Sequence, residues 1–136
     1  GLLVHVPTTH GHIINVIATL TDHMTRDDIL AAFSAHPRIR VVRIADGFSS
    51  NTSLFKYARD LGRPRGDMYE IAVFEETLAL SRREVMFAIN IPQEAVVVPE
   101  TIDGVRAALR TQEDRLEAVG ATNRYLGLRA QAEARR

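Results

Sequence analysis

The sequence predicts an α+β protein, with a mixed, largely antiparallel sheet, helices on one face of it, and C-terminal helices. Short β-branched or alternating runs recur up to Asn90. Helical patterns lie between the first of these runs, and a longer apolar stripe at helical spacing begins near Pro99. We therefore divide the chain into residues 1–98, which carry the sheet, and residues 99–136, which carry the C-terminal helices.

The N-terminal part begins with two predicted strands. Leu2 to Val6 is a short apolar run ended by Pro7, and His12 to Leu20 is a second run with apolar residues on both faces. Because both faces of the second strand are largely apolar, we expect it to lie in the interior of the sheet.

A helix is predicted from Arg26 to Ala35. Thr25 and Asp28 are spaced as an N-terminal capping pair, and the apolar stripe that follows them stops at Pro37. A β-branched strand then runs from Ile39 to Ile44.

The middle of the chain predicts a turn, a helix and three strands. Residues 46–51 have turn composition, and apolar residues between Leu54 and Leu61 recur at helical spacing. Strand patterns follow at Met68 to Phe74, Thr77 to Leu80 and Glu84 to Asn90, and we interpret them as a meander of antiparallel strands.

The C-terminal part is predicted to be helical. An apolar stripe from Ile102 to Val119 lies on one side of a helix that runs towards Gly120, and Thr122 can cap a last short helix. We expect the polar tail from Gln131 to Arg136 to be frayed.

Composition narrows the class of protein. Seventeen basic and seventeen acidic residues give a net charge of zero, so we expect no nucleic-acid partner. We expect no membrane partner either, because no apolar run approaches the roughly 20 residues that span a bilayer. The chain contains no cysteine and no signal-peptide pattern, and we expect a cytoplasmic protein.

Several polar residues could carry chemistry. His10 and His12 are spaced to share a metal ion on a strand, but no convincing third ligand accompanies them, so we predict no metal site. Arg63 and Arg65 could hold a phosphate, yet Asp67 and Glu70 lie nearby in sequence and favour salt bridges within the domain. Taken alone, Gln93 would belong to a solvated turn.

Three segments resemble one family: residues 6–12, residues 62–107 with their most specific match at Gln93 to Ala107, and residues 122–127. They are similar to the C-terminal part of archaeal-type (type II) phosphorylating glyceraldehyde-3-phosphate dehydrogenase. The resemblance implies a fragment, in which residues 1–98 are part of a catalytic domain. Residues 99–136 would be helices that pack on a missing nucleotide-binding domain.

The resemblance also implies a reaction. The parent enzyme would convert D-glyceraldehyde 3-phosphate and phosphate to 1,3-bisphosphoglycerate with NAD or NADP in glycolysis or gluconeogenesis, as a homo-oligomer, a tetramer, in the cytoplasm. Such enzymes work through a cysteine thiolate that lies upstream of this region, so the fragment alone is expected to be inactive. The alternatives are a related semialdehyde dehydrogenase fragment and a non-catalytic interaction module of the same fold.

Two site residues follow from the resemblance. His12 matches the histidine that pairs with the catalytic cysteine, and Gln93 matches the glutamine that reaches the nicotinamide end of the cofactor. His10 is the reserve candidate for the histidine, because a second family histidine is replaced here by Ile14. Pro92 stands where the family usually has a histidine.

Overall fold

The structure is a computed structural model that describes residues 11–110 and 114–131. The predicted strand Leu2 to Val6, His10, and most of the polar tail lie outside these residues. Five strands and four helices occur in the described ranges: β1 (His12–Thr19), α1 (Arg26–Ala35), β2 (Ile39–Val42), α2 (Asn51–Asp60), β3 (Ile71–Phe74), β4 (Ala79–Ser81), β5 (Glu84–Ile91), α3 (Gln93–Ala108) and α4 (Arg115–Tyr125). No helix within these ranges is long and apolar enough to cross a membrane.

The strands form one mixed sheet in the order β1-β5-β3-β2, in which β2 and β3 are parallel and the other pairs are antiparallel. The predicted α+β class with a largely antiparallel sheet is confirmed. The predicted three-strand meander is wrong in detail, because β4 pairs with the same side of β5 as β3 does. At the interruption between them the Thr77 hydroxyl donates to the Phe74 carbonyl and accepts from the Ala88 amide.

β1 pairs with β5 along its whole length, from His12 opposite Ile91 to Thr19 opposite Glu84. Among the described strands it is an edge strand, not the interior strand that the sequence predicted. Most of its apolar residues are consequently exposed, and Ile17 is 74% accessible, whereas Val16 is half-buried. The prediction differs from the structure because two apolar faces indicate only that a strand favours burial. They do not specify which other strands lie beside it.

Helices pack on both faces of β2, where the sequence predicted helices on one face. Val41 and Val42 are both buried, and consecutive strand residues point to opposite faces. Val42 packs with Leu54 and Ala58 of α2, whereas Val41 lies beside Leu30 of α1. The second core cluster, on the α1 side, joins three buried residues of α1, β5 and the segment before β4: Ile29, Val85 and Leu78.

Helix boundaries follow capping chemistry closely at α1. The Thr25 side chain accepts from the Asp28 amide, and the Asp28 carboxylate accepts from the Thr25 amide at 2.9 Å, so the predicted capping pair is confirmed. α3 begins at Gln93, earlier than the predicted start at Pro99, and it runs across the proposed division at residue 98, which remains a prediction.

The C-terminal helix is broken in two. Arg110 adopts a left-handed backbone conformation (φ 48°), and Asp114 caps the new helix by accepting from the Glu117 amide. Thr122 was predicted to cap a last helix, but it lies inside α4, where its hydroxyl donates to the Ala118 carbonyl.

Arg38 ties both C-terminal helices to the sheet. It is buried directly before β2, and its Nε donates to Asn123 Oδ1 of α4 at 2.9 Å. Its terminal nitrogens bind two carboxylates of α3, at 2.6 Å to Glu100 and 2.5 Å to Asp103. A single side chain therefore joins the sheet to α3 and to α4.

Candidate functional site

The two predicted site residues lie at the same end of the β1–β5 pair. His12 is the first residue of β1 and is paired with Ile91, the last residue of β5. Gln93 follows Ile91 by two positions and is the first residue of α3, with Pro92 as the N-cap. Both side chains are exposed. The register thus brings together two residues that are 81 positions apart in sequence.

Gly11 fixes how the chain enters β1. Its φ is +72°, a conformation that residues with a side chain rarely adopt. A Cβ atom at this position would lie 3.1 Å from Asn90 Oδ1 and 3.3 Å from the Ile91 carbonyl oxygen. The backbone directly before His12 therefore packs closely on the end of β5, and a side chain at position 11 would push it away.

Asn90 lies beneath this entry. It is 1% exposed, and neither its Oδ1 nor its Nδ2 has a hydrogen-bond partner in the described part of the chain. A buried amide without partners is unfavourable by roughly 1–3 kcal/mol, so Asn90 lowers the stability of this part of β5 unless another group reaches it. Asn90 was not predicted as a site residue, although a polar residue at a core position of Glu84–Ile91 is a visible signal in the sequence.

A cavity of about 620 Å³ opens beside the start of β1, between that strand, the end of β3 and the N-terminus of α2. Its lining includes Gly11, Ile13, Phe48, Phe74 and Ala88. His12 also borders it, but strand alternation directs the imidazole to the face opposite Ile13. The cavity therefore offers a largely apolar surface next to, and not under, the imidazole.

Among the residues that the structure describes, no three His, Asp or Glu side chains lie close enough to hold a metal ion. His10, the other member of the histidine pair, is outside those residues.

The arginines of the loop before β3 are held by carboxylates. Arg63 makes two bonds to Glu70, at 2.5 and 2.8 Å, and Arg65 bonds to Asp67 at 2.7 Å. The hydrogen bonds that Arg63 donates to Glu70 raise the pKa of Arg63, and the bond that Arg65 donates to Asp67 raises the pKa of Arg65 in the same way. These contacts confirm the salt-bridge interpretation of both arginines.

Comparison with known proteins identifies relatives for nearly the whole chain. No family model matches the sequence. Glyceraldehyde-3-phosphate dehydrogenase of Methanocaldococcus jannaschii is 40% identical over 123 residues, which are 90% of this chain and 36% of that protein. The enzyme of that name from Methanococcus maripaludis (strain S2) is 42% identical over the same shares, and that from Hyperthermus butylicus is 40% identical over 93% of this chain and 37% of the relative.

The chain belongs to the archaeal-type glyceraldehyde-3-phosphate dehydrogenase family. It spans about a third of the length of the curated relatives it matches. The resemblance read from the three sequence segments is thereby confirmed. In this segment of a glyceraldehyde-3-phosphate dehydrogenase, the roles of His12 and Gln93 stay predictions. Asn90 and Arg38 are two further buried polar residues that were not predicted from the sequence.

Proposed function

We propose that the complete protein is a phosphorylating glyceraldehyde-3-phosphate dehydrogenase that uses NAD or NADP, with D-glyceraldehyde 3-phosphate and inorganic phosphate as substrates. In this proposal the present chain supplies the catalytic histidine, His12, and a cofactor-binding glutamine, Gln93. The observation that supports it is the shared position of the two residues at one end of β1 and β5, in a chain 35–42% identical to enzymes of that name.

His12 would serve as the proton carrier of the reaction. An imidazole beside a thiol stabilises the thiolate, and it can then accept the hydroxyl proton when the adduct between thiol and aldehyde is oxidised. The thiol would come from a cysteine in another part of the complete protein, since this chain has none. The exposure of His12 supports this role, because its imidazole is not enclosed by residues of the described chain.

Gln93 would orient the cofactor. The nicotinamide group, when bound, accepts the hydride. A primary amide both donates and accepts hydrogen bonds, so the exposed side chain of Gln93 fits the carboxamide of that group. Its position in the first turn of α3 holds the amide on a regular element, with the buried Ala95 two residues further along anchoring the turn.

The assembly is also part of the proposal. We propose a cytoplasmic homo-oligomer, a tetramer, in which other domains or subunits cover apolar surface that this chain leaves exposed. Val105, Leu109 and Leu116 on the C-terminal helices are each more than half exposed, and apolar surface of this kind usually marks an interface.

The test is His12→Asn in the complete enzyme, with His23→Asn as the matched control, since His23 is an exposed histidine in the loop after β1. We expect kcat to fall by about 10²–10⁴-fold, the usual contribution of a general acid–base group, while the dissociation constant for the dinucleotide changes little. His23→Asn should leave both unchanged. A His12→Asn enzyme that turns over at the wild-type rate would remove His12 from the mechanism.

A further inference from the structure

Asn90 differs from other buried polar side chains in the described part of the chain, because neither of its polar atoms has a hydrogen-bond partner. Asp103 and Arg40 also carry a buried atom without a hydrogen bond. However, Asp103 binds Arg38 through its second oxygen, and a terminal nitrogen of Arg40 lies 3.8 Å from Glu70. Asn90 has no such second contact, so its carboxamide keeps an unused donor and an unused acceptor inside the sheet.

The carboxamide of Asn90 lies beside the Cα atom of Gly11. A Cβ atom at Gly11 would be 3.1 Å from Asn90 Oδ1 and 3.6 Å from Asn90 Nδ2. Asn90 is opposite Ile13 in the register of β1 and β5, so it shares a face of the sheet with Ile13, and the His12 imidazole lies on the other face. Asn90 can therefore act on His12 through the backbone that enters β1, and not by contact with the imidazole.

Few groups can reach this carboxamide. Because Asn90 is buried, it is not accessible to a substrate, a cofactor or another subunit. Its neighbours on the adjacent strands, Ile13 and Ala72, have apolar side chains. On the side of Gly11, however, only two covalent bonds, of about 1.3 and 1.5 Å, separate the Cα atom from the carbonyl carbon of the preceding residue. The peptide groups that lead into Gly11 are therefore the nearest partners for the donor and the acceptor.

We propose that Asn90 is a positioning residue for His12. Its carboxamide binds peptide groups of the segment that leads into Gly11, residues 8–10, and this contact fixes the point at which the chain enters β1. The inference rests on the proposed function, in which His12 carries the proton. It assigns a use to a buried amide that would otherwise only destabilise β5.

His12 depends on this contact because it is the first residue of its strand. The pair with Ile91 of β5 holds one side of its backbone, and Gly11, directly before it, lies outside the strand. Glycine has the most freely variable backbone of all residues, so an additional contact is needed to fix the chain at this point. A displacement of about 1 Å can slow a catalysed reaction roughly 10²-fold. The Asn90 contact should therefore affect turnover although it does not touch the reacting atoms.

Amide hydrogen exchange in the complete protein tests the contact without requiring catalysis. The variant is Asn90→Ala, and the matched control is Asn15→Ala, which replaces an exposed asparagine of β1. The amides of His12 and Val16 both face β5 in the register of the two strands. We expect Asn90→Ala to accelerate exchange at His12 by about tenfold and to leave Val16 unchanged, whereas the control changes neither. An unchanged rate at His12, or equally faster exchange at both amides, would overturn the proposal.

Kinetics of the complete enzyme test whether the contact positions His12 for the reaction. Asn90→Ala should lower kcat by about tenfold or more and leave the dissociation constant for the dinucleotide nearly unchanged, because the contact is with the entry to β1 and not with α3. A residue with a merely structural role would lower Tm and leave the kcat of the folded enzyme unchanged. A wild-type kcat for Asn90→Ala, in an enzyme that His12→Asn inactivates, would therefore overturn the proposal. If His12→Asn itself retains the wild-type kcat, the proposed function fails instead, and exchange at His12 still decides whether Asn90 holds the entry to β1.

A double variant tests the close approach of Asn90 to Gly11. Gly11→Ala should lower kcat, because the added Cβ atom would lie 3.1 Å from Asn90 Oδ1 and would strain a backbone with a φ of +72°. In the Asn90→Ala background the first of these causes is absent, so the fold-decrease caused by Gly11→Ala should be smaller by about threefold or more. Equal fold-decreases in the two backgrounds would show that the two residues act independently, and the proposal would then be wrong.

Discussion

Replacing Arg38 by Met should remove the attachment of the C-terminal helices to the sheet. Methionine retains much of the apolar stem but no donor. The substitution abolishes the bonds from Arg38 to Asn123, Glu100 and Asp103, at 2.9, 2.6 and 2.5 Å. These partners belong to two helices, so the effect should reach both of them.

The loss of stability in Arg38→Met depends on how well water can replace the guanidinium at each of its three partners. Glu100 is 64% exposed, so its share should be about 0–1 kcal/mol. Asp103 is only 16% exposed and Asn123 is buried, so each would keep a polar group without its partner. Each such group should destabilise the fold by about 1–3 kcal/mol. We therefore expect Arg38→Met to lower the free energy of unfolding by about 3–5 kcal/mol, the range found when one partner of a buried ion pair is removed.

The assay is urea unfolding followed by circular dichroism, with Arg43→Met as the control. Arg43 also bonds to a carboxylate, Asp46, but both side chains are nearly half exposed, so the control should lose less than about 1 kcal/mol. The double variant Arg38→Met with Asp103→Leu should recover part of the loss, because the stranded carboxylate is gone. A loss for Arg38→Met no larger than that of Arg43→Met would refute this reasoning.

Three further predictions concern the cofactor, pH and association. Gln93→Ala in the complete enzyme should weaken dinucleotide binding and slow hydride transfer together. A dissociation constant for the dinucleotide and a turnover rate equal to those of the wild type would exclude the residue from the site. Hydrogen bonds from Thr25 hold the pKa of Asp28 below its usual value, so this cap stabilises the fold above about pH 4 and its contribution is lost as pH falls through the lowered value. Thr25→Ala should therefore reduce stability at neutral pH more than at pH 2, and equal losses at both values in acid titrations would contradict this. The isolated chain should self-associate through apolar residues of its C-terminal helices, and Leu109→Gln with Leu116→Gln should reduce this in sedimentation runs, whereas a wild-type chain that stays monomeric at every concentration would refute the prediction.

Local chemistry allowed the best sequence predictions. Thr25 and Asp28 form the whole capping interaction within four residues, and the predicted helix Arg26 to Ala35 matches α1 at both ends. In contrast, the C-terminal helix was predicted to start at Pro99, where an apolar stripe at helical spacing begins. The helix begins at Gln93 and buries Pro99 in its interior, since the apolar run before it packs as helix.

Long-range pairing was not readable from the sequence. The position of β4 depends on how the Thr77 hydroxyl bridges Phe74 and Ala88, which no local pattern encodes. Likewise His12 and Gln93 were chosen through a family resemblance, and their position at one end of the sheet follows from the β1–β5 register. A pattern of polar and apolar residues identifies which side chains favour burial, but it does not specify their neighbours.

The bonds of Arg38 also set an order of events during synthesis. Its partners in α3 and α4 lie 62, 65 and 85 residues further along the chain. At about 5–20 residues per second, a ribosome needs roughly 4–17 s after making Arg38 to make Asn123. Until Glu100 has been made, the arginine has neither its carboxylates nor its amide partner. The two C-terminal helices should therefore dock last on the nascent domain, and chains that stop before Glu100 should expose an unpaired guanidinium to proteases and chaperones.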